Sequence, residues 1–185
     1  MSEERELTIE QATVLLASRN VWRWSIVNMP RRQSVAEHTY LVTVIGLALY
    51  DQCMTRHSLL ERASFFMYLM QHDAEEATLG DIPSPVKLAI ERASPGTLTR
   101  VKREMGCEVR HAHSFDRTPL WFIAKIADHV EAIMFVGENS GPPHVLSFLM
   151  QHLDDAIRVG ESAHNAMVDW RKLRSIAAKF THHGT

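Results

Sequence analysis

Cysteine is scarce in this chain: Cys53 and Cys107 are the two thiols among 185 residues. Two are too few for a disulfide framework and fit a reducing compartment. An excess of one charge is also missing. Twenty Lys and Arg against 22 Asp and Glu leave a formal charge of -2 and a pI near 6.6. That balance leaves no footprint for long nucleic acid, although a single nucleotide needs only a local basic cluster. No apolar run reaches the ~18 residues of a membrane span. The N-terminal stretch MSEERELTIE is acidic and has no apolar core, so no signal peptide is expected. Repeats, low-complexity tracts and convincing strand alternation are absent as well. These absences point to a cytoplasmic protein without a membrane partner.

What is present is helical periodicity almost throughout. At this length the chain is expected to be one domain spanning residues 1–185, large enough to bury a core without staples. Apolar residues at 45% and charged residues at 23% are ordinary for a globular protein. Residues 8–19 read as a first amphipathic helix, with Ala12, Leu15, Leu16 and Arg19 on related turns. The stretch NVWRWSIVNMPRRQ (20–33) loses that period, contains Pro30, and reads as a loop. SVAEH then opens a helix with a capping box, Ser34 as cap and Glu37 three residues on. Its inward stripe is Val35, His38, Leu41, Val42, Ile45 and Leu49, to about residue 54. Further helices are expected over 58–72, 86–93, from SPGT at 94–97 to about 113, and over 119–136. The last of these is apolar almost all round, as a central helix should be. After GENSGPP (137–143) a long helix or a pair of helices covers 144–180. The expected fold class is all-α.

One stretch, QHDAEEATLGDIPSPVK (71–87), crowds Asp73, Glu75, Glu76 and Asp81 beside His72, then breaks at Pro83 and Pro85. An apolar helix carrying Phe65, Phe66, Met67, Leu69 and Met70 delivers the His72-Asp73 pair to its C-terminal end. Asp73 continues a stripe Leu59, Ala63, Phe66, Met70. His38 lies on the inward stripe of its own helix, and Asp128 lies in FIAKIADHVEAIMFV. Isolated buried carboxylates and imidazoles are costly. A divalent cation bound by His38, His72, Asp73 and Asp128 satisfies all four together, and mixed imidazole and carboxylate donors suit Co, Mn, Zn, Fe or Ni. Taken one at a time, each is more simply accounted for as a core polar residue with its own hydrogen bond; it is the set on three inward-facing helices that points to a cation.

The pattern H…HD…D resembles the signature of the HD-domain phosphohydrolase superfamily. NVWRWSIVNMPRRQSVAEH followed by QHDAEEATLGDIPSPVK is similar to the subgroup of bacterial 5′-deoxynucleotidases and their relatives, the phage dATP triphosphohydrolases. The likeness covers about residues 8–138; the C-terminal helices carry no motif. It implies that His38, His72, Asp73 and Asp128 hold one divalent transition metal, with Mg on the phosphate tail as an addition. Glu76 would orient or deprotonate the attacking water. Asp81 would contact the sugar and assist the leaving 5′-oxygen, although a turn aspartate capping the next helix explains it equally well. Arg23 offers a planar fork for phosphate, and Trp24 a flat face for the nucleoside. Ile26 would line the base edge, Pro85 the pocket wall, and Lys87 and Arg19 would reach the phosphates; alone, each cation reads equally as surface charge.

Ile26, the basic residues Arg19, Arg31, Arg32 and Lys87, and a short connection from Lys87 to Asp128 favour dATP triphosphohydrolase activity over 5′-deoxynucleotidase activity on dNMPs. A non-catalytic nucleotide- or metal-binding sensor is the alternative from a different class. An HD-fold oxygenase would need a second metal at His111 and His113, which read instead as exposed. His182 and His183 in the tail THHGT are candidates for adventitious metal binding. Apolar helices left over from a small core lead to the expectation of a homo-oligomer.

Overall fold

The computed structural model describes residues 8–105, 115–164 and 166–183. Among these the structure is helical: α1 (Ile9–Ala17), a 3₁₀ turn (Ser18–Asn20), α2 (Val35–Cys53), α3 (Leu59–Gln71), α4 (Glu76–Leu79), α5 (Ser84–Ala93), α6 (Thr97–Glu104), α7 (Pro119–Glu138), α8 (Pro143–His164) and α9 (Trp170–His183). Extended pairing among the described residues is limited to two isolated bridges, Trp22 with Ser34 and Met54 with Val168. His111 and His113 lie outside the described residues, as do the side chains of His182 and His183.

Helix α7 is the axis of the core. Its first turn starts from Thr118, whose side chain accepts a hydrogen bond from Trp121 N, and from Pro119 at a position that needs no N–H. Leu120, Ile123, Ile126, Ala127, Val130, Ile133 and Val136 are buried around its circumference, as its apolar composition requires. Helices α2, α8 and α9 pack against it. Helix α3 packs on α2 where Gly46 leaves room for Leu69.

Three local expectations are corrected. Ser34 does cap α2, accepting from Glu37 N at 3.1 Å, but Glu37 turns away to pair with Arg31 at 2.6 Å. The reciprocal half of the capping box is replaced by an ion pair. On α2, Leu41 faces outward beside Tyr40 and Val44. On α3 the stripe is rotated: Phe65 and Leu69 are buried, whereas Leu59, Ala63 and Phe66 are exposed. The reason is that α3 lies at the periphery and touches the core along one narrow seam. Asp73 therefore owes its direction to the turn after α3, where Glu76 N donates to Asp73 O at 3.0 Å, and not to that stripe.

The loop over 21–34 is closed at its neck. Arg23 N donates to Gln33 O and Val35 N to Val21 O, both at 2.9 Å. This antiparallel neck delivers Arg23, Trp24 and Gln33 to the N-terminal end of α2, one turn from His38.

Candidate active site

Four donor atoms from three elements converge. His38 Nε2, from α2, lies 3.2 Å from Asp128 Oδ1 of α7 and 3.4 Å from Asp73 Oδ2. His72 Nε2, at the end of α3, lies 3.2 Å from Asp73 Oδ2 and 3.4 Å from His38 Nε2. Four ligands each about 2.1 Å from one ion would stand about 3.0–3.4 Å apart. The spacing therefore fits a divalent cation, and His38, His72 and Asp128 form a group able to hold one.

The second nitrogen of each imidazole is engaged from behind. His72 Nδ1 lies 2.7 Å from the Leu69 carbonyl, which accepts only an N–H. His38 Nδ1 lies 2.5 Å from Glu131 Oε2. Both rings are thereby turned with Nε2 toward the centre. Burial by itself would lower the pKa of His38, and the Arg23 charge acts in the same sense. Glu131, Asp128 and Asp73 together outweigh them and raise it well above 6.5. His72 is raised in the same way against its burial, mainly by Asp73. Burial pushes Asp73 and Asp128 up, but the neighbouring histidines hold both carboxyls below the usual carboxylate range. In effect the pocket gathers positive charge, which is the condition a cation meets best.

Glu76 sits at the start of α4, 4% exposed. Lys87 Nζ donates to its Oε1 at 2.7 Å, while Oε2 is buried without a partner among the described residues. Burial pushes this carboxyl up to about 7, aided by the charges of Asp73 and Asp81 and opposed by Lys87. A free, buried oxygen of this kind is a ready acceptor for a water hydrogen. Lys87 is thus the partner of Glu76 in this structure, so its charge is already half committed.

Asp81 does not cap α5, whose N-cap is Pro83. Gly80, at φ 78°, ends α4 and turns the chain so that Asp81 Oδ2 accepts from Trp24 N at 3.1 Å. Trp24 itself has φ 67°, a left-handed conformation costly for a bulky side chain. It is held there by the Asp81 bond, by its indole N–H donating to Gln33 Oε1 at 3.0 Å, and by stacking on Phe135 with ring centroids 6.0 Å apart.

Arg23 needs the clearest correction. Its Nη1 points inward, 3.0 Å from Gln33 Oε1, 3.3 Å from Glu131 Oε2 and 2.5 Å from His38 Nδ1. One arm of the fork expected for phosphate is thus spent on a buried acid. Of the remaining expected residues, Ile26 is 66% exposed, and Arg19, Arg32 and Pro85 are exposed as well. Arg31 pairs with Glu37 and lies over the Phe135 ring at 5.3 Å, so it is not a free cation either.

Sequence reasoning missed Glu131, Gln33 and Lys125. An acid three residues after Asp128 on a helix apolar all round was a signal for Glu131; Gln33, inside a loop, carried none. Lys125 Nζ reaches to 4.0 Å of Asp128 Oδ2 across one helical turn.

The chain is similar to several known proteins. Residues 12–95 match the 5′-deoxynucleotidase YfbR-like family. Over 178 residues the chain is 26% identical to a dATP triphosphohydrolase of Salmonella phage PMBT28, covering 90% of this chain and 89% of that one. It is also 26% identical over 152 residues to the dATP triphosphohydrolase of Cyanophage S-2L, 80% of each chain. The fold superposes on the Cyanophage S-2L HD phosphohydrolase DatZ, solved bound to dA and one catalytic Zn²⁺. The TM-score is 0.71 at 18% identity, over 92% of this chain and 96% of that one. The chain is an HD-domain phosphohydrolase, a hydrolase class that works with a metal ion. Within that class its likeness is to the YfbR-like family and the phage dATP triphosphohydrolases.

Proposed function

We propose that this enzyme hydrolyses dATP to deoxyadenosine and triphosphate at one divalent cation held by His38, His72, Asp73 and Asp128. The observation that carries this reading is the convergence on His38 and His72, whose Nε2 atoms lie 3.4 Å apart, of Asp73 at 3.2–3.4 Å from both and of Asp128 at 3.2 Å from His38. The dATP triphosphohydrolases of the two phages above support the choice of substrate, and the zinc of the Cyanophage S-2L protein makes zinc the first cation to try. Co, Mn, Fe and Ni suit the same mixed donors.

A divalent cation supplies Lewis acidity, drawing charge from the phosphoryl oxygens and making water a stronger acid near neutral pH. The residues do the rest. Glu76 offers Oε2 to the attacking water, orienting it and accepting its proton. The water oxygen bonds to the α-phosphorus, the bond from that phosphorus to the 5′-oxygen breaks, and the 5′-oxygen takes a proton from solvent to leave as deoxyadenosine, while Glu76 returns its own proton to solvent. Asp81 and Trp24 form the sugar wall, fixed to one another through the Trp24 N–H. Crowding at Trp24 favours deoxyribose. Ile26 and Pro85 line the base side. Lys87, the outer arm of Arg23, and Arg19 meet the phosphates, with Lys87 exchanging Glu76 for phosphate oxygen.

The match of residues 12–95 to the 5′-deoxynucleotidase YfbR-like family favours a second reading, release of phosphate from dNMPs. Chromatography of products from metal-loaded protein separates the two. Each dNTP, each dNMP and ATP is incubated alone, with His72→Ala as control. Deoxyadenosine and intact triphosphate from dATP establish the first reading. Phosphate from monophosphates alone establishes the second, and no turnover despite bound metal leaves a sensor.

A further inference from the structure

We propose that Glu131 is the positioning residue of the metal centre, holding the Nδ1 proton of His38 so that Nε2 faces the cation as a bare lone pair. Gln33 and Arg23 serve as the clamp that fixes Glu131. The inference rests on the reading of His38 as a metal ligand and is independent of which nucleotide is hydrolysed.

A cation at Nε2 requires His38 to be a neutral imidazole, which carries one N–H. With the proton on Nε2, it would point at Asp73, Asp128 and His72 and occupy the place of a cation. The Nδ1 lone pair would then oppose the Glu131 Oε2 lone pairs at 2.5 Å. With the proton on Nδ1 both conflicts vanish. Glu131 is 2% exposed, and a buried carboxylate is tolerable only when both oxygens are bonded. Gln33 Nε2 donates to Oε1 at 2.5 Å, and Arg23 Nη1 lies 3.3 Å from Oε2.

The amide of Gln33 has only one workable orientation. Its oxygen receives Arg23 Nη1 and Trp24 Nε1, each at 3.0 Å, so its nitrogen must face Glu131. Gln33 is 0% exposed, so water offers it no alternative. A competing arrangement exists: Arg23 Nη1 also stands 2.5 Å from His38 Nδ1, and donating there would move the ring proton to Nε2. Arg23 has two oxygen acceptors in reach, however, and a cation at Nε2 repels a proton there. The same Gln33 oxygen that completes the clamp ties down the Trp24 indole, so the nucleoside wall and the metal ligand share one buried network.

The test uses the full chain, stripped of metal and titrated with Zn²⁺ and with Co²⁺. In Glu131→Gln the outline is kept, but the amide nitrogen must meet either the Gln33 donor or the donors of His38 and Arg23, so the hold on Nδ1 is lost or its clamp is broken. The expected result is a native circular dichroism spectrum, Zn²⁺ affinity weakened about 10–100-fold, and an altered Co²⁺ visible spectrum. Gln33→Leu, which removes the clamp and leaves Glu131, should weaken affinity less and raise KM through Trp24. Long-range ¹H–¹⁵N spectra of the Zn²⁺-loaded wild type read the tautomer directly, without relying on a variant that folds. A proton on Nδ1 of His38 supports the inference, and a proton on Nε2 overturns it. Wild-type affinity in both variants overturns it as well, while His38→Ala and His72→Ala losing the metal would leave the active-site reading intact. Failure of the wild type to bind either ion would sink both.

Discussion

At the scale of single residues, the Glu76 carboxyl combines burial, one bonded oxygen and one free one. Its value of about 7 lies above that of an unfolded glutamate. The native state therefore holds this proton more tightly. Glu76 favours folding below the unfolded value near 4.5, loses that contribution as pH rises, and opposes folding above about 7. Glu76→Gln removes the ionisation and should stabilise the metal-free protein at pH 8. The upper limit is about 3 kcal/mol, from ~2.5 units at 1.36 kcal/mol each, with little difference at pH 4. Thermal unfolding of both proteins at the two pH values decides it; equal gaps at both would mean that Glu76 ionises freely in the fold. The same substitution should abolish turnover if Glu76 receives the proton of the attacking water.

At the scale of elements, the site depends on where helices begin and end. Three of the four donors lie within a turn of such a boundary or beside one: His38 follows the Ser34 cap by one turn, and His72 and Asp73 end α3. Ser34→Ala removes the acceptor for Glu37 N and should lower stability by about 1 kcal/mol. For a chain of this size that is about 2–4 °C in Tm, measurable by calorimetry. Because His38 N bonds to Ser34 O at 3.1 Å, fraying there should also weaken metal binding. An unchanged Tm would show that the closed neck of the 21–34 loop, and not the cap, starts α2. Helices α5 and α6 contrast with this, since neither buries a residue. Ion pairs Lys87–Glu76 and Lys102–Glu75 connect them to α4 and its approach.

For the whole molecule, α8 and α9 brace α7, and α9 also touches α2. Gly160 on α8 lets Trp170 approach: a methyl there would stand 2.9 Å from Trp170 Cζ3 and 3.0 Å from Phe122 Cγ. Gly160→Ala should therefore destabilise by about 1–3 kcal/mol through overpacking, although alanine is the better helix former. Urea titration checks it, and a stabilised variant would show that the Trp170 ring yields. A cation held by His38, His72, Asp73 and Asp128 would act on the whole fold too, because it binds the native arrangement and not the unfolded chain. At a cation concentration 100 times Kd the bound state gains about 2.7 kcal/mol, so a chelator should lower Tm by about 5–10 °C. Differential scanning fluorimetry with and without chelator reads this, and no shift would mean that no cation is bound. Tyr40, Val44, Phe66 and Met67 are exposed on α2 and α3. They support the expected self-association, which sedimentation velocity measures.

The sequence by itself determined the helical class and most helix limits, and it pointed to His38, His72, Asp73 and Asp128 as candidate donors, because these are carried by short-range signals. Periodicity marks the buried face of α7, prolines and Ser34 mark ends, and an acid on an inward stripe stands out by its cost. What it could not determine is which side of a polar group meets which partner. Arg23 reads as a phosphate fork until the closed neck of its loop brings Gln33 and Glu131 beside it, residues 10 and 108 positions away. Asp81 reads equally as a sugar contact or a cap until Gly80 turns it onto Trp24. Leu59 and Phe66 read as core until α3 proves to touch its neighbours along a single seam. Each of these was decided only by tertiary structure, since a hydrogen bond depends on direction and distance across the fold, whereas periodicity reports only which face of one helix avoids water.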